Sequence, residues 1–233
     1  MNVRNQRKES MLNVDLAIVD KFKKAGFNKL TTIQKKALPV LSRQINALLV
    51  APTSSGKTES AIIPIFTILA LQKNLGIRVI YITPLRALNR DVQRRIVKYA
   101  ELEGLKVEVR HGDTSSSAKK KMITNPPDIL ITTPETLAII LTNEKMLNIM
   151  KNLQWVIVDE IHELFSNERG AHLALSLERL QAITGNEITR IGLSATIGNL
   201  KVAAKFVAGT DRKCAIIIDN SIREYDLLLL NII

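Results

Sequence analysis

The chain has 233 residues, a formal net charge of +11 and 46% hydrophobic residues, which suits one large α/β domain, or one with small extensions, with a sizeable core and excludes a disordered chain. No apolar run approaches the roughly 18–20 residues that cross a bilayer, the polar start Met1-Asn2-Val3-Arg4 has no signal-peptide core, and the single cysteine, Cys214, forbids an internal disulfide. The expectations are a cytoplasmic protein with no membrane partner and, from the basic excess, a polyanionic one.

Two helices come first in the chain. Apolar spacing predicts one near residues 14–24, ending at Gly26, and a second from Thr31 or Thr32 to about Ser42, with a kink at Pro39. Ile- and Val-rich runs then alternate with amphipathic stretches, and strands are predicted at 47–50, 78–82, 106–110, 128–132, 155–159, 190–193 and 215–218. Runs that are apolar throughout suit strands covered by helices on both faces. Such alternation means a mostly parallel central sheet, a three-layer α/β sandwich, with ligands at the carboxyl ends of the strands. Lys119-Lys120-Lys121 reads as a solvated helix face, and the apolar tail from Leu227 to Ile233 as a strand cut in mid-course.

The first predicted strand runs into Ala51-Pro52-Thr53-Ser54-Ser55-Gly56-Lys57-Thr58 and then a helix-like stretch. A buried strand, a tight small-residue loop and a helix start make a phosphate cradle, because backbone N–H groups and the helix dipole converge on one point. Thr53, Ser54, Ser55 and Gly56 would supply that backbone. Lys57 would reach the β- and γ-phosphates, and the Thr58 hydroxyl would hold Mg²⁺, with ATP as the expected nucleotide.

The strand Trp155-Val156-Ile157-Val158 ends in Asp159-Glu160-Ile161-His162. Beside a phosphate cradle, Asp159 would hold Mg²⁺ through water, and Glu160 would orient and deprotonate the attacking water. Asp159 is also a good helix N-cap, and the two roles are compatible. At a third strand end, Ser194-Ala195-Thr196, small hydroxyls can bond carboxylates or His162 and report the γ-phosphate. Thr83-Pro84-Leu85-Arg86 and Thr133-Pro134-Glu135-Thr136 each read as a strand, a Thr N-cap and a Pro at the first helical position. Two exposed helix N-termini of this kind could bind two backbone phosphates of a nucleic acid; Arg86 favours this and Glu135 opposes it unless it faces sideways. His111-Gly112-Asp113-Thr114 is a third turn on the same edge. The three histidines show no metal-ligand spacing.

In motif order, Gln34, Ala51-Pro52-Thr53-Ser54-Ser55-Gly56-Lys57-Thr58, the two Thr-Pro turns, Asp159-Glu160-Ile161-His162 and Ser194-Ala195-Thr196 resemble the RecA-like, P-loop first motor lobe of superfamily 2 DExH helicases. The stretches 169–180 and 192–199 resemble Lhr-type helicases. The resemblance implies an ATP-driven nucleic-acid motor in which Gln34 reads adenine and His162, Ser194 and Thr196 couple hydrolysis to movement. It also implies that Pro84, Leu85, Arg86, Gly112, Asp113, Thr133, Pro134 and Glu135 track a single-stranded loading strand. Ser54 stands where these helicases usually have Gly. Phe22 and Phe27 are the nearest aromatic candidates for stacking on adenine. The arginine-rich motif of a second lobe does not occur before Ile233. The expected organisation is helices with the adenine-reading segment over 1–45, the ATP-binding lobe over 46–219, and the start of a linker to that second lobe over 220–233. The other reading is a solitary module that binds ATP and nucleic acid without motor activity.

Overall fold

The computed structural model describes residues 3–73, 75–84 and 90–220, with side chains from residue 14 onward. Leu85, Arg86 and the apolar tail lie outside the described residues. Seven four- to six-residue strands form one sheet: β1 Ala47–Val50, β2 Val79–Ile82, β3 Val107–Arg110, β4 Ile129–Thr132, β5 Trp155–Val158, β6 Thr189–Ser194 and β7 Ala215–Ile218. Their order is β3-β4-β2-β5-β6-β1-β7. Every pairing among the described strands is parallel, in line with the expected parallel sheet. The expected strands agree to within one residue at each end.

Helices cover both faces: α1 Val3–Lys24, α2 Thr32–Leu41, α3 Lys57–Ala70, α4 Arg90–Glu101, α5 Ser116–Thr124, α6 Pro134–Ile140, α7 Glu144–Ile149, α8 Glu168–Thr184 and α9 Leu200–Ala208. Helix α1 begins well before residue 14. Its first half has no apolar period to announce it, but it is rich in Arg, Lys, Gln and Glu, which lose little freedom in a helix. Helix α2 runs through Pro39 to Leu41.

The strands are apolar on both sides because each side has its own core. In β1, Ala47 and Leu49 pack with Ile18, Phe22, Ile33 and Phe66 on one face. Leu48 and Val50 belong, with Leu173 and Val207, to the core on the other. Gly192 in β6 sets how closely the second face can be covered. A Cβ there would meet Ile161 Cδ1 at 2.1 Å and Val207 Cγ2 at 2.6 Å. Glycine therefore lets the 3-10 turn Ile161–Glu163 and helix α9 lie directly on the strand.

Two buried arginines anchor the amino ends of the strands. Just before β2, Arg78 donates to the Leu69 carbonyl at 2.7 Å and to Asp128 Oδ1 at 2.6 Å. In β6, Arg190 donates to Glu178 Oε1 at 2.7 Å and to the Leu177 carbonyl at 2.9 Å. Arg212 closes the second cluster with 2.8 and 2.9 Å bonds to the two Glu178 oxygens.

Candidate nucleotide site and nucleic-acid interface

All seven strands point the same way, so every motif predicted at a strand end emerges on one edge, and the strand order sorts them. Strands β5, β6 and β1 are neighbours and lead to Asp159-Glu160, Ser194 and the phosphate loop. Strands β3, β4 and β2 are neighbours and lead to His111, Thr133 and Thr83. The nucleotide candidates occupy one half of the edge and the nucleic-acid candidates the other.

Residues 51–56 turn from β1 into α3, and two of them have left-handed backbone. Gly56, the N-cap of α3, has φ +83°. A Cβ on Gly56 would stand 2.6 Å from Gln34 Nε2, so the glutamine amide lies against the loop. Ser54 has φ 61°, a conformation that costs an L side chain about 1–2 kcal/mol. Gln34 is fully buried at the start of α2, where its Oε1 accepts the Thr31 N–H at 2.9 Å in a capping box. Its Nε2 is buried without a partner, as is Ser55 Oγ. Lys57 and Thr58 are buried at the head of α3. The Lys57 ammonium donates to the Ala51 carbonyl at 3.3 Å. Burial holds its pKa below the usual lysine value, against the pull of Glu160 and Asp159.

Asp159 follows β5 and is 5% exposed. Its Oδ2 accepts the Tyr81 hydroxyl at 2.5 Å and its Oδ1 accepts the Glu160 N–H at 2.9 Å. Burial raises the Asp159 pKa, and the Tyr81 bond, the Glu160 N–H and Lys57 oppose the rise. Asp159 does not cap the following turn. Glu160 takes that position, with φ 47°, because the chain must swing sharply off the strand to lay Ile161 on Gly192. Glu160 Oε2 is buried and has no hydrogen bond. Burial first, and the neighbouring Asp159 charge second, raise its pKa, against the pull of Lys57 and His162.

His162 Nδ1 stands 3.2 Å from Ser194 Oγ and 3.3 Å from Glu160 Oε2, the latter without hydrogen-bond alignment. The Ser194 hydroxyl donates to the Thr196 carbonyl at 3.0 Å. Thr196 thus enters through its backbone, while its side chain faces solvent. The Ala51 N–H also donates to the Ser194 carbonyl at 3.1 Å, so the phosphate loop and the Ser194 strand end are directly bonded.

Phe22 cannot stack on a base: it is fully buried and meets Phe27 edge-on, with ring centroids 5.8 Å apart. Phe27 packs half-buried against the same core.

On the other half of the edge, Thr133 caps α6 by accepting the Thr136 N–H at 3.3 Å, with Pro134 at the first helical position. The exposed helix start expected from the sequence is not what forms, because Thr133 and Pro134 are buried. Glu135 is exposed and pairs with Arg169 Nε at 2.7 Å. Arg169 Nη2 also donates to the Pro84 carbonyl at 2.6 Å. One arginine, which sequence reasoning did not single out, therefore neutralises the unfavourable carboxylate and ties the two Thr-Pro turns together. Thr83 is buried after β2, and the next described helix starts at Arg90. Gly112 and Asp113 are exposed, and the Asp113 N–H donates to His111 Nδ1 at 3.2 Å.

Residues 31–203 match the family model described as DEAD/DEAH box helicase. The chain belongs to that family. Among its helicase relatives, it is 41% identical to the ATP-dependent helicase Lhr-Core of Sulfolobus acidocaldarius over 88% of this chain and 25% of the relative. It is 38% identical to the Lhr helicase/uracil glycosylase of Escherichia coli over 82% of this chain and 14% of that one. The solved structure of the Mycobacterium smegmatis helicase Lhr, bound to ssDNA and AMP-PNP, superimposes with a TM-score of 0.78 at 38% identity, covering 90% of this chain and 28% of the other. The helicase motifs expected from the sequence thus lie in a RecA-like lobe of Lhr type. The chain spans about a quarter of the length of the Lhr-Core relatives it matches. No described helix is long and apolar enough to cross a membrane.

Proposed function

We propose that this chain is the ATP-binding first lobe of a nucleic-acid helicase or translocase. The observation that carries the proposal is the adjacency of β5, β6 and β1, whose ends bring Asp159-Glu160, Ser194 and Lys57-Thr58 together. Buried polar atoms without partners on Gln34, Ser55 and Glu160 fit a nucleotide, and the relatives' names and the M. smegmatis complex support the same reading.

In this reading Gln34 offers its free amide to the adenine. The loop N–H groups of residues 53–56 cradle the phosphates, and Lys57 leaves the Ala51 carbonyl to reach the β- and γ-phosphates. Thr58 and Asp159 would hold Mg²⁺, which would supply positive charge against the phosphates. Glu160 takes a proton from the water that attacks the γ-phosphorus, and the ADP oxygen leaves on the opposite side. His162 and Ser194 lie one contact from both Glu160 and the phosphate loop, so they can pass the state of the γ-phosphate to the chain beyond. Along the tracking edge for a single strand, the exposed Gly112, Asp113 and Glu135 would offer side-chain or backbone contact, the buried Pro84, Thr133 and Pro134 would shape the turns behind them, and Leu85 and Arg86 are assigned from the sequence alone. A second lobe, carried by the rest of a longer protein, supplies an arginine that is worth about 10³–10⁵ in rate in related NTPases.

The test is ATP turnover by the 233-residue chain with and without single-stranded DNA or RNA, alongside nucleotide binding. The expected result is binding with almost no turnover. Robust strand separation by this chain alone would overturn the division of labour between lobes. Nucleic-acid affinity should fall with salt at a log–log slope of roughly −0.7 per phosphate contacted. A flat profile would overturn the phosphate-tracking edge.

A further inference from the structure

The strand order leaves one seam between the two halves of the edge, where β2 of the nucleic-acid half pairs with β5 of the nucleotide half. A side-chain hydrogen bond crosses this seam. Tyr81 lies on β2, two residues before Thr83, and is 1% exposed. Its hydroxyl donates to Asp159 Oδ2 at 2.5 Å, while β2 and β5 stay in register and the Asp159 N–H donates to the Ile82 carbonyl at 2.8 Å.

We infer that Tyr81 is a positioning residue for the metal site: its hydroxyl fixes the Asp159 carboxylate in the orientation that Mg²⁺ requires. The inference rests on the reading of Asp159 as the Mg²⁺ carboxylate. The physical argument begins with the lone pairs. A carboxylate has about four acceptor directions, and here one on each oxygen is taken, Oδ2 by Tyr81 and Oδ1 by the Glu160 N–H. Two bonds from different elements stop rotation about the Cβ–Cγ bond. The remaining lone pairs are then fixed in space before any ligand arrives. The tyrosine ring itself cannot drift, because it sits in the core with Val79, Ile131 and Ile157 on the same sheet face. Glu59 in the first turn of α3 is held in turn by Arg95 of α4 at 2.9 Å, so the helix bearing Lys57 and Thr58 is braced from the same side. Phenylalanine at position 81 would keep the packing and remove only the bond. Asp159 would then rotate and lose part of its preference for the metal geometry, without disturbing the loop that holds the phosphates.

The experiment follows binding of a fluorescent ATP analogue to the 233-residue chain as Mg²⁺ is titrated, and again in excess EDTA. The proteins are the parent, Tyr81→Phe and Asp159→Asn, each with its thermal midpoint. Loss of a group that orients a metal ligand typically costs 10–100-fold in metal affinity. Tyr81→Phe is expected to raise the Mg²⁺ concentration for half-maximal binding about tenfold, with binding in EDTA unchanged. A half-maximal Mg²⁺ concentration within twofold of the parent, when Asp159→Asn shifts it strongly, would overturn the role of Tyr81 and leave that of Asp159 standing. Equal loss of binding with and without Mg²⁺, together with a fallen thermal midpoint, would also overturn it, since Tyr81 would then be only a packing residue. No shift in either variant would overturn the metal reading of Asp159 and the inference with it.

Discussion

Strand β6 has two ends, and they are built on opposite principles. At its amino end Arg190 is 1% exposed, yet its guanidinium is bonded to Glu178 and to the Leu177 carbonyl, and Arg212 supports Glu178 from outside. At its carboxyl end Ser194 is as deeply buried, but the groups around it are incomplete. Glu160 Oε2, Ser55 Oγ and Gln34 Nε2 have no hydrogen-bond partners, and Ser54 and Glu160 hold left-handed backbone. Buried polar groups are tolerated at one end because they satisfy each other. At the other end they persist because the core of the sheet fixes them there, which is how strain and unpaired groups accumulate at ligand sites. One end of the strand holds the fold, and the other is where the proposed nucleotide would complete the unpaired groups.

The largest expected effect tests the incomplete end. In a two-lobe form of the protein, Glu160→Gln should lower ATP turnover by about 10²–10⁴-fold while nucleotide binding and the thermal midpoint stay at parent levels. Normal turnover in that variant would remove Glu160 from the role of base. The next effect tests the complete end. Glu178→Ala strips buried Arg190 of its carboxylate and should cost about 2 kcal/mol in chemical denaturation, with nucleotide affinity unchanged.

Acid sharpens the contrast. The Arg212 and Arg190 bonds hold the Glu178 pKa down to about 2, from an ordinary value of 4.5. Its folded pKa lies below its unfolded one, so its contribution is full above about pH 4.5 and drains away as the pH falls toward 2. Because Glu178 is half-exposed, solvent screening trims that contribution to about 1–2 kcal/mol. Asp159 and Glu160 behave in the opposite sense. Their folded pKa values are raised, so falling pH relieves the cost of burying their charge. Thermal melts should show Glu178→Gln losing less stability than the parent as the pH falls from about 4.5 toward 2, and Glu160→Gln missing a gain that the parent makes at pH values above about 4.5. A common slope for all three would refute the assignment.

The smallest effect concerns the loop. Ser54→Gly removes the left-handed strain, loosens the unfolded chain and gives up the serine side chain, so the changes should offset to within about 1 kcal/mol in a denaturant melt. A larger shift in either direction would mean that one of them dominates the loop.

The strands and the phosphate loop were legible because their signals are local: an apolar run, a glycine, a lysine and a threonine in sequence. The Asp-Glu pair was legible for the same reason, once placed after an apolar run. Tyr81 was not legible as a partner of Asp159, since the two are 78 residues apart and meet only because β2 lies beside β5. Nothing in either segment announces that neighbour relation. The same holds for Arg169, whose target is the pair of turns that the strand order brings side by side. The Thr-Pro turns were recognised as turns but not as buried ones, because burial depends on what the rest of the chain lays over them. Glu160 was expected just inside a capped helix; its left-handed backbone follows from the short route the chain must take to Gly192.

Gly192 has a mechanical consequence. A device that turns a small chemical displacement into a larger one loses motion wherever its joints have play. Between the sheet and the turn that carries His162 there is not room for one methyl group. In the proposed coupling, shifts of the turn would be handed to the strand through the tips of Ile161, Val207 and Leu48 with little backlash, and the tolerance at that joint is written into the sequence as the absence of a side chain.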